Sequence, residues 1–262
     1  MPPPTRPWCS PPTSTTLGLG DSIDGGAGND ELELTLAGNG GEAGDGLYAG
    51  FLVDNVETIN LRSIGFADGS GSDGVRVEFT GVAGLQTLNI FRSTNITEAR
   101  DIQNIIDVNL NDVADDVVID FDAQAVLASD DTLDLSVREV GASAEGEDAV
   151  TIDEGIEILN IDDRGADAFE SNFSLYAYGL DEINITGGDD YTQTAGVRQN
   201  HLALEWVQTG GGTTLDSTQY AGDLYVATEQ QSVDQIATGV GDDVVEIDSD
   251  WDFGQTISTG DG

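Results

Sequence analysis

The chain has 262 residues and a formal net charge of −42, because 50 aspartates and glutamates face only eight arginines and no lysine. Such a surface cannot neutralise phosphates, which argues against nucleic-acid binding and against attachment to anionic membranes. The apolar runs are four or five residues long, so no membrane insertion is expected, and the absence of lysine leaves out Schiff-base and P-loop chemistry.

The composition nevertheless supports a folded core. About a quarter of the residues are Ile, Leu, Val or Phe, and the 34 glycines indicate many tight turns rather than long helices. Repulsion between carboxylates opposes compaction, so a multivalent cation is expected to neutralise them. An oxygen-only ligand set favours Ca²⁺ as that ion.

The first sixteen residues differ in composition from the rest. All six prolines and the single cysteine, Cys9, fall within the first twelve residues. This change predicts that residues 1–16 are a Pro-rich non-native leader or linker outside the fold. A body without cysteine fits a secreted protein that is stabilised by metal rather than by disulfides.

Residues 25–33 read GGAGNDELE and fit the pattern GGxGxDxUx, in which U is a large apolar residue. Glycines permit a turn with positive φ that brings carbonyl oxygens together, and the aspartate adds a carboxylate. We therefore predict Asp30 and the carbonyls of Gly26 and Gly28 as calcium ligands. Asp21, nine residues before Asp30, is predicted to repeat the aspartate position in phase.

Weaker copies of the same turn recur along the chain. They are centred on Asp45, on Gly71 and Asp73, and on Gly241 and Asp243, and each departs from the pattern at one glycine. These five residues are also predicted ligands. Reduced Gly-x-Asp forms, such as the one ending at Asp148, are more often ordinary turns.

An acidic cluster lies near the C-terminus. Asp248, Asp250 and Asp252 alternate along the sequence and resemble the start of an acidic calcium loop. They are predicted ligands, although an exposed acidic strand face explains the pattern equally well.

Five phrases place aliphatic residues at their first, fourth and sixth positions and asparagine at the fifth. They are residues 56–61, 85–90, 105–110, 156–161 and 180–185. Such phrases predict short strands, and stacked parallel coils would align them into an aliphatic column and an asparagine ladder. One helix is predicted near residues 95–106, with Asn95 as its cap. The expected fold is an all-β, Ca²⁺-stabilised parallel β-solenoid or β-roll-like array with little helix.

Similar phrases recur about 100 residues apart, for example those that begin at Asp30 and Asp131. We therefore predict a first β repeat unit over residues 17–128 and a second over residues 129–237. Residues 238–262 are expected to begin a further unit that is cut short.

Glycine-aspartate turns followed by such strands resemble bacterial surface-layer proteins of the RTX type, whose calcium-binding nonapeptide repeat residues 25–33 match. The resemblance implies type I secretion, an extracellular location at the cell surface, and Ca²⁺-dependent self-assembly into a lattice. Cell-surface polysaccharide is a further expected partner. A stalk segment of a type I-secreted RTX adhesin is the first alternative. A β-helix polysaccharide lyase or a carbohydrate-binding module is the second.

Catalytic motifs are missing from the sequence. His201 is the only histidine, and the chain has no GxSxG elbow and no HExxH motif. Adjacent acids, such as Asp115–Asp116 and Asp162–Asp163, carry little information in a chain with 50 acidic residues. No enzymatic activity is expected.

Overall fold

The computed structural model describes residues 17–38, 46–65, 74–141, 148–153, 155–165, 171–188, 202–229, 232–248 and 255–260. Within these ranges the chain forms 22 β-strands and one short 3-10 turn, Phe79–Gly81. All strand pairs are parallel, and most strands belong to two long sheets. The predicted all-β class with a parallel, solenoid-like array is confirmed.

Each described coil contributes one strand to each long sheet, except the last, which contributes only a strand of sheet B. The ten strands of sheet B are β2 (Glu31–Ala37), β5 (Thr58–Ile64), β8 (Thr87–Ser93), β10 (Asp107–Val113), β12 (Thr132–Val140), β14 (Ile158–Asp163), β16 (Glu182–Gly187), β18 (Thr213–Tyr220), β20 (Val233–Thr238) and β22 (Thr256–Ser258). The nine strands of sheet C are β3 (Leu47–Tyr48), β6 (Val75–Glu78), β9 (Thr97–Ile102), β11 (Val117–Phe121), β13 (Ala149–Ile152), β15 (Ser171–Ala177), β17 (Leu202–Gln208), β19 (Leu224–Glu229) and β21 (Val244–Asp248).

The coils change shape along the solenoid. The first three have a third side, sheet A, formed by β1 (Ser22–Asp24), β4 (Leu52–Asp54) and β7 (Val82–Ala83). From β10 onward the described strands alternate between sheets B and C only. The paired residues show coils of unequal length: Leu88 pairs with Val108, whereas Glu182 pairs with Thr214.

The core lies between the long sheets and follows from the period-two alternation of the strands. In β5 every second residue, Ile59, Leu61 and Ser63, points inward and is buried. The predicted aliphatic column is present as a run of buried side chains paired strand to strand: Ile59, Leu88, Val108, Leu135, Ile161 and Ile185. Burying each such side chain contributes about 1.5–3 kcal/mol, which makes the column a main source of stability.

The predicted asparagine ladder is also present, on the outer face of sheet B. Asn109 Nδ2 donates to Asn89 Oδ1 at 2.7 Å, and Asn89 Nδ2 donates to Asn60 Oδ1 at 2.6 Å. Asn60 donates in turn to the carboxylate of Glu31. The ladder therefore links four consecutive coils through side chains.

A second, separate ladder lies further along the same sheet. Asn184 Nδ2 donates to Asn160 Oδ1 at 3.0 Å, and Asn160 Nδ2 donates to Asp134 Oδ1 at 2.7 Å. Asn109 pairs with Ser136, two residues beyond Asp134, so the second ladder is displaced by two residues from the first. Each ladder ends on a carboxylate that accepts the final N–H.

The predicted helix near residues 95–106 is wrong. Strand β9 occupies Thr97–Ile102 and pairs with β6 and β11. Thr97 and Ala99 are buried while Glu98 and Arg100 point outward, so period-two burial outweighs the local capping signal. Asn95 lies in the turn before this strand.

The strands of the two predicted repeat units belong to the same sheets. Strand β10 pairs with β12, and β11 pairs with β13, across residue 128. The division at residues 17–128, 129–237 and 238–262 stays a prediction. Residues 1–16 lie outside the described residues.

Candidate metal centre

Three carboxylates converge just before the first residues of two neighbouring strands of sheet C, β11 and β13. Asp115 and Asp116 lie in the turn between β10 and β11, and Asp148 immediately precedes β13 in the next coil. One oxygen from each residue lies within 4.8 Å of the other two, and all three residues are half-buried. No other group of three such ligand residues occurs in the described part of the chain.

Backbone hydrogen bonds hold these residues in place. The Asp116 carbonyl accepts the N–H of Thr97 at 2.9 Å, and Asp116 Oδ1 accepts the N–H of Ala149 at 2.8 Å. Asp115 Oδ1 accepts the N–H of Asp116 at 2.8 Å, and the Asp148 carbonyl accepts the N–H of Ser174 at 2.9 Å. The position of the three carboxylates is therefore set by strand pairing across neighbouring coils.

The electrostatics of this group are unfavourable without a counter-ion. Burial raises the pKa of Asp115, the N–H of Asp116 lowers it, and the charges of Asp116 and Asp148 raise it further. Two like charges 4 Å apart repel by about 1 kcal/mol in water and about 4 kcal/mol near a protein surface. A bound cation would convert this repulsion into attraction.

The donor set fits a hard cation. Calcium takes six to eight oxygens at about 2.3–2.6 Å, so oxygens on opposite sides of one ion lie about 5 Å apart. The 4.8 Å limit on the three carboxylate oxygens is compatible with that sphere. Carboxylates without histidine or cysteine favour Ca²⁺ or Mg²⁺ over zinc, and Ca²⁺ tolerates the more irregular geometry.

The first predicted glycine-aspartate turn lies within the described residues, and calcium binding by Asp30 and the Gly26 and Gly28 carbonyls stays a prediction. Gly28 has a φ of 147° and lies beside Asp30, because an added Cβ would be 3.7 Å from Asp30 Oδ2. Gly26 donates its N–H to Asp24 Oδ1 at 3.0 Å. Asp21 Oδ2 accepts the N–H of Gly18 at 2.8 Å and so closes its own turn.

The turn containing Gly241 and Asp243 stacks on the preceding coil. Gly241 has a φ of 135°, and an added Cβ would be 2.6 Å from the Gly222 carbonyl oxygen. Asp243 Oδ1 accepts the N–H of Leu224 at 3.1 Å, and Asp223 Oδ1 accepts the N–H of Asp242 at 2.8 Å. In this turn the described aspartates cap neighbouring backbone.

A buried aspartate near this turn is already paired with neutral donors. Asp163 Oδ2 accepts the hydroxyl of Tyr220 at 2.8 Å, and Oδ1 accepts the N–H of Gly165 at 3.0 Å. Burial first, then the charges of Asp163, Asp223 and Asp243, raise the pKa of Tyr220. Its hydroxyl therefore stays protonated and keeps donating to Asp163.

The other predicted ligands have no described side chain. Asp45, Gly71, Asp73, Asp250 and Asp252 lie outside the described residues. Asp248 ends strand β21, and its side chain is likewise outside the described part.

The sequence contains a signal for the triad. Asp116 precedes Val117 directly, Asp148 precedes Ala149-Val150, and Val117 pairs with Val150. Recognising that both acids come just before paired strands would have placed them together.

Comparison with known proteins adds no neighbour to this description, since no family model, curated protein or solved structure matches the chain. Among the described residues, no helix has the length and apolar character needed to cross a membrane. The fold and the site together define a parallel β-solenoid with an oxygen-rich candidate metal centre between coils.

In calcium-depleted buffer with enough trimethylamine N-oxide to keep both proteins folded, we expect wild type to lose stability relative to Asp115→Asn as the pH rises from about 4 to 7. The folded-state pKa of Asp115 is raised above its ordinary value of 3.8. The protonated Asp115 carboxyl therefore stabilises the fold fully at pH values below the pKa of the unfolded state. This stabilisation is lost as the pH rises through the pKa of the folded state. Urea unfolding of both proteins across this pH range measures the difference. A wild-type advantage that grows with pH would contradict the expectation.

Proposed function

We propose that this chain is a structural segment of a secreted surface protein, in which Ca²⁺ stabilises the solenoid and drives its assembly into an extracellular array. The observation that carries the proposal is the convergence of Asp115, Asp116 and Asp148 in a chain of net charge −42. An ion bound there joins two consecutive coils. Because the unfolded chain offers no such site, the binding free energy stabilises the fold.

The charge of the chain also supports calcium-dependent assembly. Copies with a net charge of −42 repel one another, and monovalent salt only screens this repulsion. Divalent ions can bridge carboxylates of neighbouring copies and so convert the repulsion between copies into attraction. A second copy of this chain is therefore the principal proposed partner, and cell-surface polysaccharide is a further one.

The proposed location and export route come from the resemblance of residues 25–33 to the RTX nonapeptide. A protein at the cell surface meets millimolar calcium, at which weak extracellular sites fill. The chain has no lysine, and its only cysteine, Cys9, lies in the proline-rich start, so no disulfide can form within the body. Both features are compatible with a body that depends on metal. The proposed role is structural, without catalysis.

Assembly is the direct test of this function. In millimolar Ca²⁺, negative-stain microscopy and sedimentation are expected to show ordered arrays of the wild type, and EDTA should return it to monomers. Asp148→Asn removes one charged ligand, so it should need on the order of tenfold more calcium, equivalent to about 1.4 kcal/mol. Asp107→Asn, at an exposed strand position, is the matched control and should behave as wild type.

The outcomes separate the alternatives. A wild type that binds calcium but stays monomeric would overturn the array and favour the adhesin stalk. If Asp148→Asn and Asp107→Asn required the same calcium concentration for assembly, the triad would not be the site at which calcium drives assembly. Turnover of a soluble acidic polysaccharide would favour the lyase.

A further inference from the structure

Two acidic pairs occupy equivalent places in coils about 100 residues apart. Glu57 Oε2 accepts the N–H of Asp30 at 2.8 Å, and Glu157 Oε2 accepts the N–H of Asp131 at 2.9 Å. In return, each aspartate carbonyl accepts the N–H of its glutamate, at 3.2 Å in the first pair and 3.0 Å in the second. The same reciprocal pair of hydrogen bonds therefore joins consecutive coils at two different places along the chain.

Each aspartate in these pairs has a buried oxygen without a donor. Asp131 is only 9% exposed, and its Oδ2 has no hydrogen-bond partner among the described residues. Asp30 is half-buried as a residue, and its buried Oδ2 likewise has no hydrogen-bond partner among the described residues. A buried carboxylate oxygen without a partner is costly, because it loses its hydration and gains no hydrogen bond, and the neighbouring glutamate adds like-charge repulsion. The same unmet requirement for positive charge therefore occurs at both places.

The turns beside the two pairs share a positive φ and a close contact at corresponding positions. Asn55 and Gly155, each two residues before the glutamate, have φ values of 55° and 108°. An added Cβ on Gly25 would lie 2.0 Å from the Asn55 carbonyl, and one on Gly155 would lie 2.4 Å from Val126 Cγ2. Gly25 and Val126 hold corresponding positions, each five residues before the aspartate of its pair. Each of the two contacts therefore contains one glycine: it precedes the aspartate in the first contact and the glutamate in the second.

We propose that the pairs Asp30–Glu57 and Asp131–Glu157 each bind one divalent cation, Ca²⁺, between consecutive coils. The buried aspartate Oδ2 supplies one ligand and the glutamate carboxylate supplies another, with carbonyls and water completing the sphere. Oxygen-only ligands and an irregular turn favour calcium. These two sites are separate from the Asp115–Asp116–Asp148 centre, and neither glutamate belongs to the glycine-aspartate pattern.

This inference rests on the proposed function, because it assigns further ions to the same calcium-stabilised solenoid. It adds a specific arrangement: an ion clamp joins the first two sheet B strands of each predicted unit, β2 with β5 and β12 with β14. Such clamps would fix the register where each unit begins.

Calcium titration calorimetry of the full chain tests the clamps. Glu157→Gln keeps an oxygen that can accept the Asp131 N–H but removes the charge, so the variant should fold in calcium and bind one ion fewer than wild type. The double variant Glu57→Gln/Glu157→Gln should bind two fewer. Glu182→Gln, an exposed glutamate in the following coil, is the matched control and should bind as wild type.

The result distinguishes failure of the clamps from failure of the proposed function. Unchanged stoichiometry and affinity in both variants, with weaker calcium binding by Asp148→Asn, would overturn the clamps alone. Absence of calcium binding by the wild type would overturn both. If the variants fail to fold, wild-type crystals soaked in Tb³⁺ provide the test of the two clamps. An anomalous peak beside Asp131 Oδ2 is expected, and a map without one contradicts the proposal.

Discussion

Removal of calcium is expected to convert the folded solenoid into a largely disordered chain. Three proposed ion sites, each filled to 100 times its dissociation constant, contribute about 8 kcal/mol together. A typical domain has a total stability of only about 5–15 kcal/mol. Losing the ions therefore removes most of the folding free energy and leaves the 50 acidic side chains uncompensated.

Far-UV circular dichroism in EDTA and in millimolar Ca²⁺ measures this effect. The β signal should be lost in EDTA and return with calcium. NaCl at matched ionic strength is the control, because it screens charges without occupying a ligand site. A full β spectrum in EDTA would contradict the expectation.

Truncation of Phe173 to alanine is expected to cost about 3–5 kcal/mol, even with calcium present. Phe173 lies in β15, pairs with Leu204 and is 0% exposed, so the variant leaves a cavity between the long sheets. Urea unfolding in millimolar Ca²⁺ measures the loss. A two-sheet core cannot readily collapse around the missing ring, because the backbone on both sides is fixed by parallel pairing.

Tyr178→Ala is the matched control for this truncation, since it removes an aromatic ring of the same coil that is 47% exposed. It should change stability by no more than about 0.5 kcal/mol. If the two variants were equally stable, Phe173 would not lie in the core described above.

The fold could be predicted largely because its determinants are local. Alternating aliphatic residues in phrases such as residues 56–61 and 156–161 require strands with one buried face, and their shared asparagine predicts a ladder. The prediction of a helix at residues 95–106 was wrong for the opposite reason. A capping signal around Asn95 is local, whereas the pairing of β9 with β6 and β11 depends on the whole stack.

The candidate sites were harder to predict because they depend on which coils stack and in what register. Asp116 and Asp148 meet because Val117 pairs with Val150, and the coil lengths that produce this pairing vary along the chain. Glu57 and Glu157 were overlooked because they look like ordinary polar residues before a strand. The third side of the early coils was equally hidden, since β1, β4 and β7 have only two or three residues.

In the calcium-stabilised solenoid that we propose, ions bound between coils complete the interior of the protein. The decisive experiment is to measure the free energy of unfolding of the wild type at a series of buffered free-calcium concentrations. Once sites begin to fill, stability should rise by about 1.4 kcal/mol per tenfold increase in calcium for each ion bound on folding. Three ions would give a rise of about 4 kcal/mol per tenfold. A stability that does not change with free calcium from micromolar to millimolar would contradict the account.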